Sequence, residues 1–129
     1  MARRLPYSDA LERWDTEAIL AAMGDDVVIH VAVHDQPMQG VGVARFLFGV
    51  LREELGEMRV TDEIIEDDRA VVLFETSIQG LAAQGLNVIS LDGAGRIREL
   101  TVFFRPLATL ARISDVIGAR MAAEFGPPV

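Results

Sequence analysis

Four polar side chains could do chemistry on a carbonyl or hydroxyl compound: the phenol of Tyr7, the amide of Asn87, and the neighbouring His34 and Asp35. A phenol or an amide can donate a hydrogen bond to a carbonyl oxygen or to an oxyanion. An imidazole or a carboxylate can accept a proton and return it. The sequence therefore predicts Tyr7 and Asn87 as polarising groups, and His34 or Asp35 as the group that moves the proton.

Each of these side chains also has a purely structural interpretation. Tyr7 can be a core tyrosine whose hydroxyl reaches the surface. Asn87 stands among apolar residues, and its amide can satisfy a neighbouring backbone group instead of a ligand. His34 lies just before a polar turn and can be a solvated loop residue. The residue types leave both interpretations open.

The composition excludes several kinds of site. The chain has no cysteine, and all 12 basic residues are arginine, because no lysine occurs. Thiolate nucleophiles, cysteine-ligated metals, Schiff-base lysines and Walker-type phosphate loops are therefore excluded. Since no histidine accompanies the acidic residues between Glu57 and Asp68, we expect a solvated strand and turn there and no metal site. We expect no cofactor.

Charge and hydropathy narrow the choice of partners. A formal net charge of -8 disfavours nucleic acid, which binds clustered positive charge. No apolar run approaches the roughly 18 to 20 residues that cross a bilayer, and no apolar block follows the basic start Met1–Arg4. We therefore expect a cytoplasmic protein with no membrane partner. Its 129 residues fit a single domain, 1–129.

Hydrophobic periodicity predicts the elements that position these residues. Apolar residues at steps of three and four predict helices over Pro6–Met23, from Gly40 to Gly56, and from Leu107 onward, where Leu110, Ile113, Ile117 and Met121 form one stripe. Apolar and alternating runs predict strands at Val27–Val33, Met58–Glu66, Ala70–Gln79, Leu86–Leu91 and Ile97–Arg105. Leu81–Gly85 is predicted as a connection.

The segment Asp92–Arg96 is predicted to join the last two strands as a hairpin, because its glycines supply the positive φ of a tight reversal. Strands that follow one another without intervening helices pair antiparallel. The element order therefore predicts an α+β roll: a curved antiparallel sheet wrapped around the N-terminal helix. Such a sheet encloses a cone-shaped cavity, which is a common ligand site.

Alternation along the strands predicts which side chains face this cavity. If Val31 faces inward, His30 and His34 point away, and a kink near Asp35 is needed to bring His34 back. The predicted ligand-binding residues are Trp14, Val31, Phe46, Phe74, Val102 and Phe104. For Trp14, plain core packing is an equal alternative.

The opposite face of the sheet is predicted to carry Glu75 and Arg105. Arg105 can form an ion pair there with Glu75 or Glu99, or can hold an anionic ligand at the cavity edge. Leu73, Thr101 and Phe103 are predicted on the same outer face. Because exposed apolar area of this kind is usually covered by a partner, we expect a homodimer.

The whole layout resembles the nuclear-transport-factor-2-like (NTF2-like) superfamily, in particular its SnoaL-like members. The matching pieces are, in order, Tyr7, Asp25–His30, Pro37 with Gly40, Leu91–Ile97 and Glu99–Pro106. The resemblance implies a cystatin-like α+β roll, or cone-shaped barrel, and dimers. It does not imply one activity, because the superfamily includes isomerases, dehydratases, cyclases, epoxide hydrolases and non-enzymes.

One member of this superfamily, ketosteroid isomerase, implies roles for individual residues of this chain. Its oxyanion tyrosine falls on Tyr7, its protonated aspartate on Asn87 and its aspartate base on Val31. Without a base, proton abstraction next to a carbonyl stalls, so the resemblance argues against steroid isomerase activity. The strand around Glu75 also lacks the Arg-x-Asp step of the epoxide hydrolases. SnoaL-like cyclases use an acidic residue and a histidine in the pocket. The candidates for these roles in this chain are His30, His34, Asp35 and Glu75.

Two functions follow as expectations. The first is a SnoaL-like small-molecule protein with an apolar pocket, acting as an isomerase, cyclase or hydrolase on a hydrophobic carbonyl, polyketide or terpenoid compound. The second is a non-catalytic ligand-binding or dimerisation module. Proximity separates them: catalysis requires His34 or Asp35 within about 4 Å of the cavity.

Overall fold

One curved, unclosed sheet of six strands organises the chain in the computed structural model, which describes residues 4–33 and 35–126. The helices are α1 (Pro6–Glu12), α2 (Thr16–Ala21), α3 (Val41–Glu54), α4 (Leu107–Ile113) and α5 (Ala119–Phe125), with a π-helical turn at Ser114–Gly118 between the last two. The strands are β1 (Met23–His30), β2 (Met38–Gln39), β3 (Arg59–Glu66), β4 (Arg69–Ile78), β5 (Leu81–Leu91) and β6 (Ile97–Arg105).

The strand order is β2-β1-β6-β5-β4-β3. The four later strands pair antiparallel with their neighbours in sequence, which confirms the prediction from the element order. β1 instead pairs parallel with β6, with Ile29 opposite Leu100. Periodicity does not predict this pairing, because it joins segments that lie far apart along the chain.

The prediction of one helix over Pro6–Met23 is wrong, because two short helices occupy this region. Trp14 takes a positive φ of 51° and ends the first helical segment. The side chain of Asp15 then accepts a hydrogen bond from the backbone N–H of Ala18 at 3.1 Å and starts α2. An aspartate N-cap explains the new start, since its carboxylate satisfies a free N–H of the first turn.

Two other predicted strands, β1 and β5, have different bounds in the structure, and β1 already begins at Met23. β5 begins at Leu81, so the connection predicted at Leu81–Gly85 is wrong. Gln79 and Gly80, with φ of 49° and 82°, form the tight turn that joins β4 to β5. β1 ends at His30, so Val31 and Val33 lie beyond the strand.

The hairpin between β5 and β6 is confirmed. The carboxylate of Asp92 accepts hydrogen bonds from the backbone N–H groups of Ala94 and Arg96, both at 2.9 Å. Gly95 supplies the positive φ, 81°. The bond from Arg96, followed by the one from Ala94, holds the pKa of Asp92 below its usual value.

The inner face of the sheet has a gap at Gly85 that two aromatic rings cover. Gly85 pairs with Phe74 on β4 and with Phe104 on β6. The two rings meet edge to face, with centroids 5.5 Å apart. A Cβ at position 85 would lie 2.5 Å from both the Phe74 ring and the carbonyl oxygen of Phe103. Only glycine fits this close approach.

The last helical region follows the prediction from Leu107 onward. Ile113, Ile117 and Met121 are buried in the hydrophobic core. Spaced four residues apart, they would drift around a helix of about 3.6 residues per turn. The wider π-helical turn takes up this drift and keeps them in one straight stripe.

The last three residues of the chain, 127–129, lie outside the described residues. Among the helices that the structure describes, none is both long and apolar enough to cross a membrane.

Candidate ligand-binding site

A cavity of about 610 Å³ lies at one end of the sheet. Its walls come from four regions: the segment after β1, helix α3, the end of β6 and the C-terminal helical region. The lining is predominantly aliphatic and aromatic, and it consists of Val31–Val33, Gln36–Gln39, Val43, Leu47, Leu51, Val102, Phe104, Ile113, Ser114, Ile117, Gly118, Met121, Ala122, Phe125 and Gly126.

Three of the six residues predicted to bind ligand line this cavity: Val31, Val102 and Phe104. The β6 residues face inward as the alternation predicts. Val31 reaches the cavity from the irregular segment beyond β1. These three positions place the cavity against the β1–β6 pair, at the end of the sheet away from β3.

The other three predicted residues lie outside this lining. The indole Nε1 of Trp14 donates to the carbonyl oxygen of Gly56 at 3.1 Å. Phe74 meets Phe104, a lining residue, edge to face. Phe46 stacks edge to face on Phe125, a lining residue, with centroids 5.3 Å apart.

Tyr7 and Asn87 lie together on the inner side of the sheet, where each is 2% exposed. The phenol of Tyr7 donates a hydrogen bond to Oδ1 of Asn87 at 2.7 Å. The Tyr7 ring also meets Phe48 edge to face, with centroids 6.3 Å apart. Burial raises the pKa of the Tyr7 phenol, because the phenolate would lose its hydration. Neither residue belongs to the lining of the large cavity.

The predicted proton-transfer residues fall in the segment that joins β1 to β2. His34 lies outside the described residues. Asp35 is exposed and does not line the cavity, although Gln36 and Pro37 beside it do. His30, a further candidate, lies on the outer face with its Nε2 2.7 Å from Oε2 of Glu99. None of the described lining residues is charged.

The outer face carries Glu75 as predicted, but the predicted pairing of Arg105 with Glu75 or Glu99 is wrong. Strand register explains the difference. Arg59 stands opposite Glu75 and pairs with it, and Gln84 stands opposite Arg105 and accepts its hydrogen bond. Glu99 is bonded to His30 instead.

The C-terminal wall is the part of the site that the sequence prediction missed. The stripe Leu110, Ile113, Ile117 and Met121 is predicted as a helix face without assignment to a cavity, and its last three members line the cavity. Beside it runs a second row of small residues, Ser114, Gly118 and Ala122, which also line the space. This pairing of a large and a small row at four-residue spacing was the available signal. Within residues 4–33 and 35–126, no three histidine, aspartate or glutamate side chains cluster as metal ligands.

Comparison with known proteins gives structural matches only. No protein-family model matches the chain, and no curated protein matches it. An uncharacterised protein with a cystatin-like fold from Silicibacter pomeroyi is 22% identical, with a TM-score of 0.83 over 89% of this chain and 82% of that one.

Two further solved structures carry names that bear on the fold. A steroid delta-isomerase from Pseudomonas aeruginosa is 19% identical, with a TM-score of 0.80 over 90% of this chain and 86% of its own. An NTF2-like protein of unknown function from Cytophaga hutchinsonii is 14% identical, with a TM-score of 0.65 over 82% and 89%. At such identities the likeness shows the fold.

Proposed function

We propose that this chain, which has the NTF2-like, cystatin-like fold, binds a hydrophobic small molecule. The ligand occupies the cavity between α3, β6 and the C-terminal helical region. One observation carries the proposal: the cavity has a volume of about 610 Å³ and an apolar lining. Pockets for small molecules have volumes of roughly 300 to 1,000 Å³ and are mostly apolar, with few polar groups. The partner class is therefore a hydrophobic small molecule.

Binding without turnover has the stronger support. A proton-transfer enzyme needs a titratable group within reach of its substrate. The described lining offers none, and Asp35 is exposed outside it. The second candidate function, an isomerase, cyclase or hydrolase acting on a hydrophobic carbonyl, polyketide or terpenoid compound, is favoured by the buried Tyr7–Asn87 pair. In that candidate these two residues polarise the carbonyl, and His34 or Asp35 transfers the proton.

A probe titration tests binding. Nile red, an uncharged fluorophore that brightens in apolar surroundings, is titrated into the protein and into two variants. Ala122→Leu adds three carbons inside the cavity, whereas Ala123→Leu adds the same atoms at the adjacent, exposed position of the same helix. We expect at least about tenfold weaker binding for Ala122→Leu only, because the added side chain occupies the ligand's space. Equal affinity in both variants, or no binding by the parent protein, contradicts the proposal.

Turnover is tested separately. A β,γ-unsaturated ketosteroid is offered to the protein, and its conversion to the conjugated isomer is followed by ultraviolet absorbance. Conversion that is lost in His34→Gln or Asp35→Asn, with Nile red binding retained, would establish the enzymatic candidate. No conversion leaves ligand binding as the proposed function.

We also propose that the protein is a homodimer through the outer face of the sheet. Two largely apolar rows cross this face in register: Ile64, Val71, Val88 and Thr101, and Asp62, Leu73, Leu86 and Phe103. Ile64 is 59% exposed and Phe103 50% exposed. The row beside them contains Arg59, Glu75, Gln84 and Arg105. Because this row carries both signs of charge, a second copy related by a two-fold axis can match it.

Light scattering after size-exclusion chromatography tests the dimer. Phe103→Glu places a charge in the centre of the proposed interface, and we expect it to shift the mass from dimer to monomer. Leu107→Glu is the control, because Leu107 is 80% exposed and begins α4 outside the sheet. A monomeric parent protein, or a dimer that both variants preserve, contradicts this interface.

A further inference from the structure

We infer that the ligand of the large cavity is an uncharged amphiphile whose polar group lies at the cavity mouth, against Gln36, Gln39 and Ser114, and whose apolar body occupies the interior. The inference rests on the proposed binding function and adds the chemical class and the orientation of the ligand. It depends on how polarity is distributed over the cavity walls.

The interior of the cavity is apolar. Its most deeply buried lining side chains are Leu47, Ile113, Ile117 and Met121, with exposed fractions of 3% to 7%. Val102 and Phe104 complete the wall on the sheet side. A polar ligand group placed among these side chains would lose its water without gaining a hydrogen bond, which is unfavourable. The apolar part of the ligand therefore belongs here.

Polar lining groups occur where the cavity meets solvent. Among the described lining residues, the polar side chains are those of Gln36, Gln39 and Ser114, and all three residues are exposed. None of the three side chains is hydrogen-bonded to another described residue. Two amides and a hydroxyl offer both donors and acceptors. They suit a ketone, hydroxyl or amide group at the mouth.

The absence of charge in the described lining decides against an ionic head group. No arginine among the described residues lines the cavity, so a carboxylate or phosphate would find no cation there. No aspartate or glutamate of the described lining would pair with an amine. The formal net charge of -8 further disfavours the approach of an anion. Burying an ion without a partner of opposite charge costs far more free energy than burying a neutral polar group.

The buried phenol and amide do not offer the ligand a deeper polar end. Asn87 pairs with Val102 across β5 and β6, so its backbone lies next to the cavity wall. Its Oδ1, however, accepts the hydrogen bond from the Tyr7 phenol. A ligand carbonyl would have to break this bond to use the phenol as its donor. The groups at the mouth are available without such a cost.

Competition against Nile red tests the inference. The competitors share one alkyl chain length and differ only in the head: a primary alcohol, a methyl ketone, a carboxylate, an amine and the bare alkane. We expect the alcohol and the ketone to displace the probe at concentrations at least about tenfold lower than the carboxylate and the amine do, because only the neutral heads avoid burying an unpaired charge.

Variants locate the head group. Gln36→Leu, Gln39→Leu and Ser114→Ala, singly and combined, should weaken alcohol and ketone binding, by about tenfold when combined, and should leave alkane binding unchanged. Gln84→Leu is the matched control, since Gln84 lies on the outer face against Arg105. Tyr7→Phe should leave the alcohol-to-alkane affinity ratio unchanged.

Each result has one meaning. If Nile red does not bind, the proposed binding function fails. If it binds and the carboxylate competes as well as the alcohol, the cavity function stands and the inference of a neutral ligand is wrong. If Tyr7→Phe lowers the alcohol-to-alkane ratio while the variants at the mouth do not, the head group lies at Tyr7–Asn87, and the orientation inferred here is overturned.

Discussion

Two ends of the same sheet are covered in different ways. At one end α1 lies against β3 and is hydrogen-bonded to β5, so that polar side chains fix it in place; we call this the filled end. At the other end α3 and the C-terminal helical region face β1 and β6 across the large cavity; we call this the hollow end. Both ends use the same inward-facing alternation of strand residues, so the sheet itself does not explain the difference.

The contacts of the filled end are specific hydrogen bonds. Glu63 on β3 accepts a bond from the hydroxyl of Ser8 and another, at 3.3 Å, from the backbone N–H of Leu5. Glu12 accepts from the backbone N–H of Val60 at 2.7 Å. With the Tyr7–Asn87 pair, these bonds hold α1 close to the sheet.

The hollow end is held by apolar side chains around its margin. Phe46 and Phe125 meet at the edge of the cavity, and the small residues Gly118 and Ala122 face its space. Apolar contacts are not directional, so they can close a rim without filling the volume inside. The comparison indicates that hydrogen bonds from polar side chains set the position of one helix, whereas small side chains leave the cavity open at the other end.

The largest expected effect lies at the boundary between the two ends, at Gly85. Gly85→Ala places a Cβ 2.5 Å from the Phe74 ring and from the Phe103 carbonyl oxygen. The Phe74 ring meets Phe104, which lines the cavity, edge to face. We expect a loss of about 3 kcal/mol in the free energy of unfolding, measured by urea denaturation, because overpacking forces backbone and side chains apart.

Gly49→Ala, in the middle of α3, is the control for the Gly85 variant. An added Cβ at position 49 meets no atom within 4 Å. This substitution should raise the free energy of unfolding by roughly 0.5 to 1 kcal/mol, because alanine loses less backbone entropy than glycine. A Gly85→Ala protein with the same free energy of unfolding as the parent would show that the packing around position 85 can adjust to an added methyl group.

A smaller effect is expected from the polar contact of the filled end. Tyr7→Phe or Asn87→Leu alone leaves one buried polar group without its partner, which costs about 2 kcal/mol in the free energy of unfolding. The double variant removes both polar groups together. Its loss should be smaller than the sum of the two single losses, and urea denaturation of the four proteins measures this coupling. Additive losses would mean that the hydrogen bond between Tyr7 and Asn87 does not stabilise the filled end.

The smallest effect appears at alkaline pH. Between the pKa of an unfolded tyrosine, about 10, and the raised pKa of buried Tyr7, the folded protein keeps the proton that the unfolded chain has lost. The free energy of unfolding should therefore fall as the pH rises above about 10, by up to about 1.4 kcal/mol per pH unit.

The composition makes this alkaline slope easy to assign. The chain has one tyrosine and neither lysine nor cysteine, so no other side chain has its usual pKa in this range. Tyr7→Phe should abolish the slope in urea denaturation at several pH values from about 9 to about 11. A slope that persists in this variant would assign the alkaline loss to a different group.

Much of the fold could be predicted because its signals are local. The bounds of β6, the hairpin at Asp92, the start of α3 near Gly40 and the inward alternation around Phe74 all follow from neighbouring residues. The break at Trp14 was missed because the apolar spacing continues across it, although Asp15 held the capping signal. The early start of β5 was missed because Gly85 is typical of a loop and its structural role is set by Phe74 on another strand.

The site was predicted less well than the fold, because it depends on which elements meet in space. Val102 and Phe104 follow from strand alternation and line the cavity. Tyr7 and Asn87 lie together on the inner side of the sheet, and that their polar atoms bond to each other could not be predicted from either residue alone. The contribution of the C-terminal helical region depends on the four-residue spacing around Ile117 and on the π-helical turn, a feature that has no strong sequence rule.

The parallel contact between β1 and β6 has a consequence for the order of folding. The ladder from β3 to β6 joins neighbours in the chain and needs only short loops to close, whereas Ile29 and Leu100 must meet across most of the sequence. Closure of longer loops costs more entropy, and distant contacts slow folding. A compact meander should therefore precede the docking of the first strand, and the cavity, which is built from both sides of that late contact, is completed last.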